Sequence, residues 1–507
     1  ILLLLLCIFI PGVAQNVSDG WNKNRTAGLT KPVFVYNNWS AYDELSDNIP
    51  LDEALAMKEL DHIVRLKKLG VQVDYYMMDA FWFDVNEGYR KWRPDCWPEG
   101  PKRWLDACKR EGIKPGLWFS TNLLRIGGEA NTMKIIPEWE SSVAEDGTTL
   151  CLFRGGYLHH LMQTLQMYAD MGIKMFKFDF AYFDAATPDA KCTMLPTDIE
   201  EQNKNAFISA IKEFRYRNPD VLFIGYNGFG GDMENTVTPF RKTVDLRWLE
   251  IFDTMYCGDP RLSDVPMMNF WRSQDLYSDH MTFQYLFNGV PVRRIDNCAF
   301  MIGTTGTCYN RALNAWKGMM ILTMARGGWL NVCHGNIDLL SDDDACWMAK
   351  VQQLYMKVQQ YGSISAFGAI PGKALSYGYM ASAEGGNLYT VVNASQEKAK
   401  VMLPEATGTG RVLFTDSGFM PVLEKNIVEL GPEQMVVVGY GKFSNREYDL
   451  GIEKDIVIPA TIQKYVTTNY PDAKILKIER DKKDYEVKLS NRTELKFDLK
   501  FNLIDID

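Results

Sequence analysis

The sequence predicts an α/β fold: a (β/α)8 barrel of the TIM type, followed by an antiparallel β-sandwich and a small α+β unit. Three observations carry this. Short apolar runs alternate with amphipathic helical stretches from residue 32 to about 362. The phrases Lys68-Leu-Gly-Val71, Glu111-Gly-Ile-Lys114 and Met171-Gly-Ile-Lys174 each end a helix on glycine and turn straight into a strand, the mark of repeated βα units. After about residue 363 the spacing changes to short strands divided by turn residues. A doubly wound open sheet is the rival architecture, but no Gly-x-Gly-x-x-Gly follows the first strand.

Residues 1–15 open with Ile1-Leu-Leu-Leu-Leu-Leu-Cys7 and close near Gly12-Val13-Ala14. They read as the apolar part of a secretory signal, too short to span a bilayer. An exported protein, periplasmic or extracellular and without a permanent membrane span, is the expectation. Residues 16–31 form a leader. In the barrel region (32–362) strands are expected at Val33–Tyr36, Val73–Met78, Pro115–Phe119, Lys174–Ala181, Val221–Ile224, Met267–Trp271 and Gly328–Val332. Helices are expected at Leu51–Leu69, Trp104–Arg110 and Leu158–Met171. The sandwich (363–445) follows with strands at Tyr377–Met380, Gly386–Val392, Lys400–Leu403, Arg411–Phe414 and Gln434–Gly439. The last unit (446–507) reads as a helix at Pro459–Val466 and strands at Ala473–Arg480, Tyr485–Leu489 and Glu494–Asp498.

At 507 residues the chain is too long for one core. The net charge of −9 and the lack of any basic run exclude nucleic acid as a partner. Nine cysteines follow Cys7, scattered from Cys96 to Cys346 without Cys-x-x-Cys or zinc-like spacing. With five histidines besides, no metal centre and no cofactor are expected.

Chemistry concentrates at strand ends. A buried parallel strand is nearly continuous apolar sequence, and charges at its end are costly unless paired. Lys174-Met-Phe-Lys177-Phe-Asp179-Phe-Ala181 breaks that rule at the C-terminal rim, where barrel enzymes keep their catalytic groups. Hydrolysis of a glycosidic bond with retention needs two carboxylates about 5–5.5 Å apart, one attacking and one protonating the leaving oxygen. Asp179 suits the nucleophile, with Lys177 beside it to keep it ionised and to reach a sugar hydroxyl. Taken alone, Lys-x-Asp is also a strand-end ion pair. Asp275, in Phe270-Trp-Arg-Ser-Gln-Asp275, suits the acid/base, and Arg272 suits substrate binding. Asp279 competes for the acid role, although a solvated helix start describes it better. Asp79, in Met77-Met-Asp79-Ala-Phe-Trp82-Phe-Asp84, is placed to accept from hydroxyls. Trp39, Trp82 and Trp118 stand near strand ends and offer stacking faces, with barrel packing as the plain alternative. Asn227, in Tyr226-Asn-Gly-Phe-Gly-Gly231, either reads the sugar's 2-position or simply sits in a tight βα turn.

These motifs resemble the α-galactosidase clan, glycoside hydrolase families 27 and 36. Lys177-Phe-Asp179 resembles the clan's nucleophile motif Lys-(Phe/Trp)-Asp. Arg272-Ser-Gln-Asp275 is similar to the family 27 acid/base segment Arg-x-Ser-x-Asp, one residue shorter. Asp79-Ala-Phe-Trp-Phe83 resembles the Asp-Asp-Gly-Trp-Phe of family 36, and Gly116-Leu-Trp-Phe119 its third-strand text. The resemblance covers residues 32–445 and implies a retaining α-galactosidase-like hydrolase of an oligosaccharide or glycoconjugate, melibiase-like. Where the clan's second aspartate binds the substrate's O4 and O6 hydroxyls this chain has Ala80. That leaves another α-linked sugar open, an α-N-acetylgalactosaminide or an α-glucoside. A non-catalytic carbohydrate-binding relative would have lost a carboxylate. An aldolase or isomerase barrel would form a Schiff base on Lys177 and need a late phosphate loop, for which Gly327-Gly328 is a weak candidate. The final unit resembles the PepSY-like domains of exported bacterial proteins.

Overall fold

The computed structural model describes residues 28–39, 51–80, 82–126, 131–229, 244–256, 270–302, 315–372, 374–416, 419–452, 458–473, 475–480, 483–489, 491 and 493–506. The expected signal segment therefore lies outside the described residues, as does most of the leader. Eight parallel strands close a barrel in chain order: β1 (Val33–Asn37), β2 (Tyr75–Met78), β3 (Lys114–Ser120), β4 (Met175–Asp179), β5 (Leu222–Gly225), β6 (Thr254–Tyr256), β7 (Ile295–Ile302) and β8 (Leu330–Gly335). Closure is the β1·β8 pairing, with Val33 opposite Leu330. Around them run α1 (Glu53–Lys68), α2 (Lys102–Arg110), α3 (Tyr157–Met171), α4 (Pro188–Thr193), α5 (Pro196–Arg217), α6 (Phe270–Phe287), α7 (Ala315–Ala325) and α8 (Asp342–Tyr361).

Local chemistry explains the returns from helix to strand. Asp52 caps α1 by accepting from the Leu55 amide at 2.8 Å. Gly172 ends α3 in the left-handed region at φ 109°, which glycine adopts without a Cβ penalty.

The sixth strand differs from expectation. Phe270 and Trp271, expected to end a strand, lie in α6, while Met267–Asn269 fall outside the described residues. A short aromatic run does not distinguish a strand from a buried helix by periodicity. The true β6 is only three residues long, and β7 carries Asp296 and Asn297 inside its run, both fully buried. Neither shows an apolar signature.

After the barrel come β9 (Ser363–Gly368), β10 (Tyr377–Ala383), β11 (Gly386–Val392), β12 (Ala399–Met402), β13 (Gly410–Thr415), β14 (Val422–Glu424), β15 (Ile427–Leu430), β16 (Met435–Tyr440) and β17 (Gly451–Ile452). They form a six-stranded sheet, order β17-β13-β16-β11-β10-β9, and a three-stranded sheet, β12-β15-β14. The larger sheet is buried on both faces. Tyr389, Val391, Val436 and Val438 pack toward the small sheet, while Leu388, Val392, Met435 and Val437 join one core with α7 and α8 of the barrel. Side chains alternate along a strand, so one strand serves both cores. The C-terminal unit is α9 (Ala460–Asn469) against a sheet of β18 (Ile475–Arg480), β19 (Asp484–Leu489), β20 (Glu494–Asp498) and β21 (Leu503–Ile506), with its own core around Ile462, Val466, Val487 and Phe497. Among the described residues no helix is long and apolar enough to cross a membrane.

Candidate active site

The C-terminal ends of β1, β2, β4, β5 and β8 bring one polar cluster together. Asp79 follows β2 and is buried. Its Oδ2 accepts from Lys177 Nζ at 2.8 Å and from Asn37 Nδ2 at 2.9 Å, and its Oδ1 from the Ala80 amide at 2.9 Å. The backbone amide of Asp79 in turn donates to Asn38 Oδ1 at 2.8 Å. Lys177, on β4, lies with its ammonium 4.1 Å from the centre of the Tyr226 ring and 5.9 Å from that of Trp39. A buried ion pair is tolerated only when its remaining hydrogen bonds are met. Here the Asn37 and Ala80 N–H groups meet those of Asp79, and the Tyr226 ring faces the ammonium.

Asp179 ends β4, two residues on and 7% exposed. Three N–H groups converge on its Oδ1: the Phe180 amide at 2.9 Å, the Asn227 amide at 3.2 Å and Asn227 Nδ2 at 2.9 Å. Among the described residues its Oδ2 receives one longer contact, from Trp118 Nε1 at 3.3 Å. The carboxylate is thus pinned through one oxygen and lightly held at the other. Burial raises its pKa above the ordinary carboxylate value, while the charge of Lys177 and the Asn227 amide pull the other way. The expected pull of Lys177 toward the ionised form is present, but desolvation outweighs it.

The backbone around Asp179 is tightly set. Phe180 sits at φ 48°, an uncommon region for a residue with a side chain. The Ala181 amide donates to the Asn227 carbonyl at 3.1 Å, joining the loops after β4 and β5. Gly228, at φ 99°, packs so closely that a Cβ would stand 2.3 Å from the Ala181 carbonyl oxygen. Asn227 is therefore both a turn residue and a ligand of Asp179, and its described contact is to the carboxylate.

The tryptophans separate. Trp118 is buried and touches Asp179 through its indole N–H. Trp82 lies in an aromatic cluster with Tyr89, Trp92, Phe119 and Tyr168, its N–H donating to the Trp118 carbonyl at 3.0 Å. That is barrel packing rather than the rim. Trp39 is only half-buried, edge-on to His334 at 5.5 Å between ring centres. His334, on β8, was not singled out from sequence. Burial first, then the Lys177 charge, push its pKa down to about 3, so the ring is neutral. Asn37 and Asn38 were also missed; their signal was the same one that marked Lys177, polar residues at the end of an apolar strand.

Asp275 and Arg272 lie on α6, which follows β6 in the chain; their side chains fall outside the described residues. Asp279 is not at a solvated helix start. It is fully buried within α6, accepting from Arg326 Nε and Tyr379 Oη, each at 2.8 Å, and from Tyr377 Oη. A carboxylate so enclosed has no route to a substrate, which removes it as an acid/base candidate. Gly327-Gly328 precedes β8 at the barrel's N-terminal end, where a Cβ on Gly328 would stand 2.0 Å from the Ile295 carbonyl oxygen. That packing leaves no phosphate cradle. Among the described residues no cluster of His, Cys, Asp and Glu is arranged to hold a metal.

Residues 445–505 match the PepSY-like, β-lactamase-inhibitor-like family model. No curated protein matches the chain in sequence. Solved structures similar to it include a family 36 α-galactosidase of Geobacillus stearothermophilus in complex with raffinose (TM-score 0.55, 14% identity, 82% of this chain and 57% of that one). The galactosidase domain of an α-galactosidase–sucrose kinase is similar to the same degree (TM-score 0.55, 15% identity, 82% and 55%). So is an α-galactosidase of Lactobacillus brevis (TM-score 0.56, 13% identity, 82% and 55%). The chain spans little more than half the length of these relatives. At such identities the likeness is one of fold: the barrel and sandwich of this chain have family 36 α-galactosidases as structural neighbours, and a PepSY-like domain follows them.

Proposed function

We propose that the chain is a retaining α-glycoside hydrolase, α-galactosidase-like, with Asp179 as nucleophile and Asp275 as general acid/base. The observation that carries this reading is the holding of Asp179. A strand-end carboxylate fixed through Oδ1 by three N–H donors leaves Oδ2 to approach an anomeric carbon. Attack would expel the leaving oxygen as Asp275 protonates it, forming a glycosyl ester on Asp179. Asp275 would then deprotonate the water that hydrolyses the ester, with net retention. Asp79, Lys177 and Arg272 would bind sugar hydroxyls, with Trp39 as the stacking face. The aldolase reading is disfavoured because Lys177 is committed to Asp79. Galactose is the leading sugar. Ala80, which offers a methyl group beside Asp79, favours testing other α-linked sugars with it.

The test is a panel of aryl α-glycosides with the wild type and Asp179→Ala. Turnover of one α-glycoside with retained configuration is expected, falling at least roughly 10⁴-fold in the variant, with azide restoring turnover as the inverted glycosyl azide. Normal turnover by Asp179→Ala would remove the assignment.

A further inference from the structure

The two candidate carboxylates are held by different parts of the molecule. Asp179 is fixed inside the barrel by Asn227 and Trp118. The helix carrying Asp275 is instead fastened to the sandwich. Tyr377 and Tyr379 are two apart on β10 and so share a face, and both donate to Asp279 on α6. Arg326, just after α7, completes an ion pair with the same carboxylate. One residue on, His280 Nδ1–H donates to the Pro371 carbonyl at 2.7 Å, in the segment between β9 and β10. Phe283, one turn further, meets both tyrosine rings edge-on with centres 6.0 Å apart.

Stability alone is a poor reason for such a cluster, since well-packed apolar residues commonly replace a buried ion pair without loss. What buried polar groups do well is fix register. A helix that slips by one residue moves about 1.5 Å and turns about 100°. Residue 275 lies four positions before Asp279, one helical turn away on the same stripe. Any slip of α6 at Asp279 is carried to residue 275 intact.

We infer that Tyr377 and Tyr379 of the sandwich are positioning residues for the general acid. They hold α6 in the register that presents Asp275, so the sandwich is a working part of the catalytic unit. The inference rests on the assignment of Asp275 under the proposed function. The nucleophile does not depend on this clamp, so loosening the clamp separates the two halves of the chemistry.

The test uses Tyr377→Phe, Tyr379→Phe and the double variant of the full chain, with two substrates of the preferred sugar. A dinitrophenyl α-glycoside departs without protonation; a disaccharide needs the acid. For the double variant, kcat/KM on the disaccharide should fall at least roughly tenfold, part of what a general acid contributes. The kcat/KM of the dinitrophenyl glycoside, which reports glycosylation alone and not the later water attack that Asp275 also assists, should change less than twofold, and the basic limb of the disaccharide pH profile should move. Each single variant should show the same split to a smaller degree, which keeps the test available if the double variant does not fold. Equal losses on both substrates, or no loss on either in a folded protein, overturn the inference alone. A wild type inactive on every α-glycoside overturns the proposed function and this inference with it.

Discussion

Asn227 shows how much one neutral side chain decides. Its amide and its backbone N–H supply two of the three donors on Asp179 Oδ1. Burial raises the pKa of Asp179, and the Asn227 amide is among the groups that oppose it. Removing the amide should therefore raise that pKa further and carry the acidic limb of kcat/KM to higher pH. A hydrogen bond to a charged group contributes on the order of 1.5 kcal/mol or more, so Asn227→Ala should lose roughly tenfold in kcat/KM or more. A pH profile of both proteins checks this; an unmoved acidic limb would mean that Asn227 acts on the sugar alone. Lys177, Asp179 and Asp79 were legible in sequence because a charge at the end of a buried strand carries a cost that demands a reason. Asn37 and His334 carry the same kind of signal in a weaker form, since a neutral polar residue at a strand end costs less than a charge. Trp82 misled because its spacing from Asp79 says nothing about which side of the rim the indole takes.

Single elements repeat the lesson with Glu59, a buried acid on the otherwise apolar inner stripe of α1. Its Oε1 and the Gly335 carbonyl each lie 3.0 Å from the hydroxyl of Tyr36 on β1, and Tyr76 on β2 bonds its Oε2. Burial pushes its pKa up to about 7, with the Asp338 charge adding to the rise and the hydrogen bonds of Tyr76, Tyr36 and Asn38 opposing it. The folded value exceeds the ordinary 4.5, so the folded state holds a proton that the unfolded chain has released. Stability from Glu59 is complete below about pH 4.5, declines as pH climbs, and is lost above about 7. The difference is on the order of 3 kcal/mol. Glu59→Gln, which keeps a donor and an acceptor, should flatten that part of the stability curve between pH 5 and 8. A decline as steep in the variant as in the wild type would place the titration elsewhere. The elements that sequence exposed were those with a clean apolar signature; β6 has three residues and β7 buries Asp296 and Asn297, so neither had one.

For the whole molecule, what matters is which cores are shared. The barrel and the sandwich bury one continuous cluster running from Trp104 and Phe178 through Met320 and Tyr355 to Val437. Trp347 Nε1 on α8 also donates to the Leu450 carbonyl at 2.6 Å, and Tyr355 Oη meets Thr390 Oγ1 at 2.8 Å. Units joined by a common core lose their packing together, so the barrel and sandwich should melt as one cooperative body. The C-terminal unit is built differently: Ile462, Val466, Val487, Leu495 and Phe497 form a cluster of their own. A chain shortened to end at residue 457 keeps β17, whose Gly451 pairs with Phe414, and discards only that cluster. Calorimetry of the full chain should show two transitions. The shortened chain should keep the larger one within about 2 °C, because none of its core contacts has been removed. Under the proposed function it should also hydrolyse the preferred α-glycoside with kcat/KM unchanged within about twofold, because Tyr377 and Tyr379 still hold α6. A single transition that falls by more than about 5 °C on shortening would show that the PepSY-like unit is part of the main fold rather than a module attached to it.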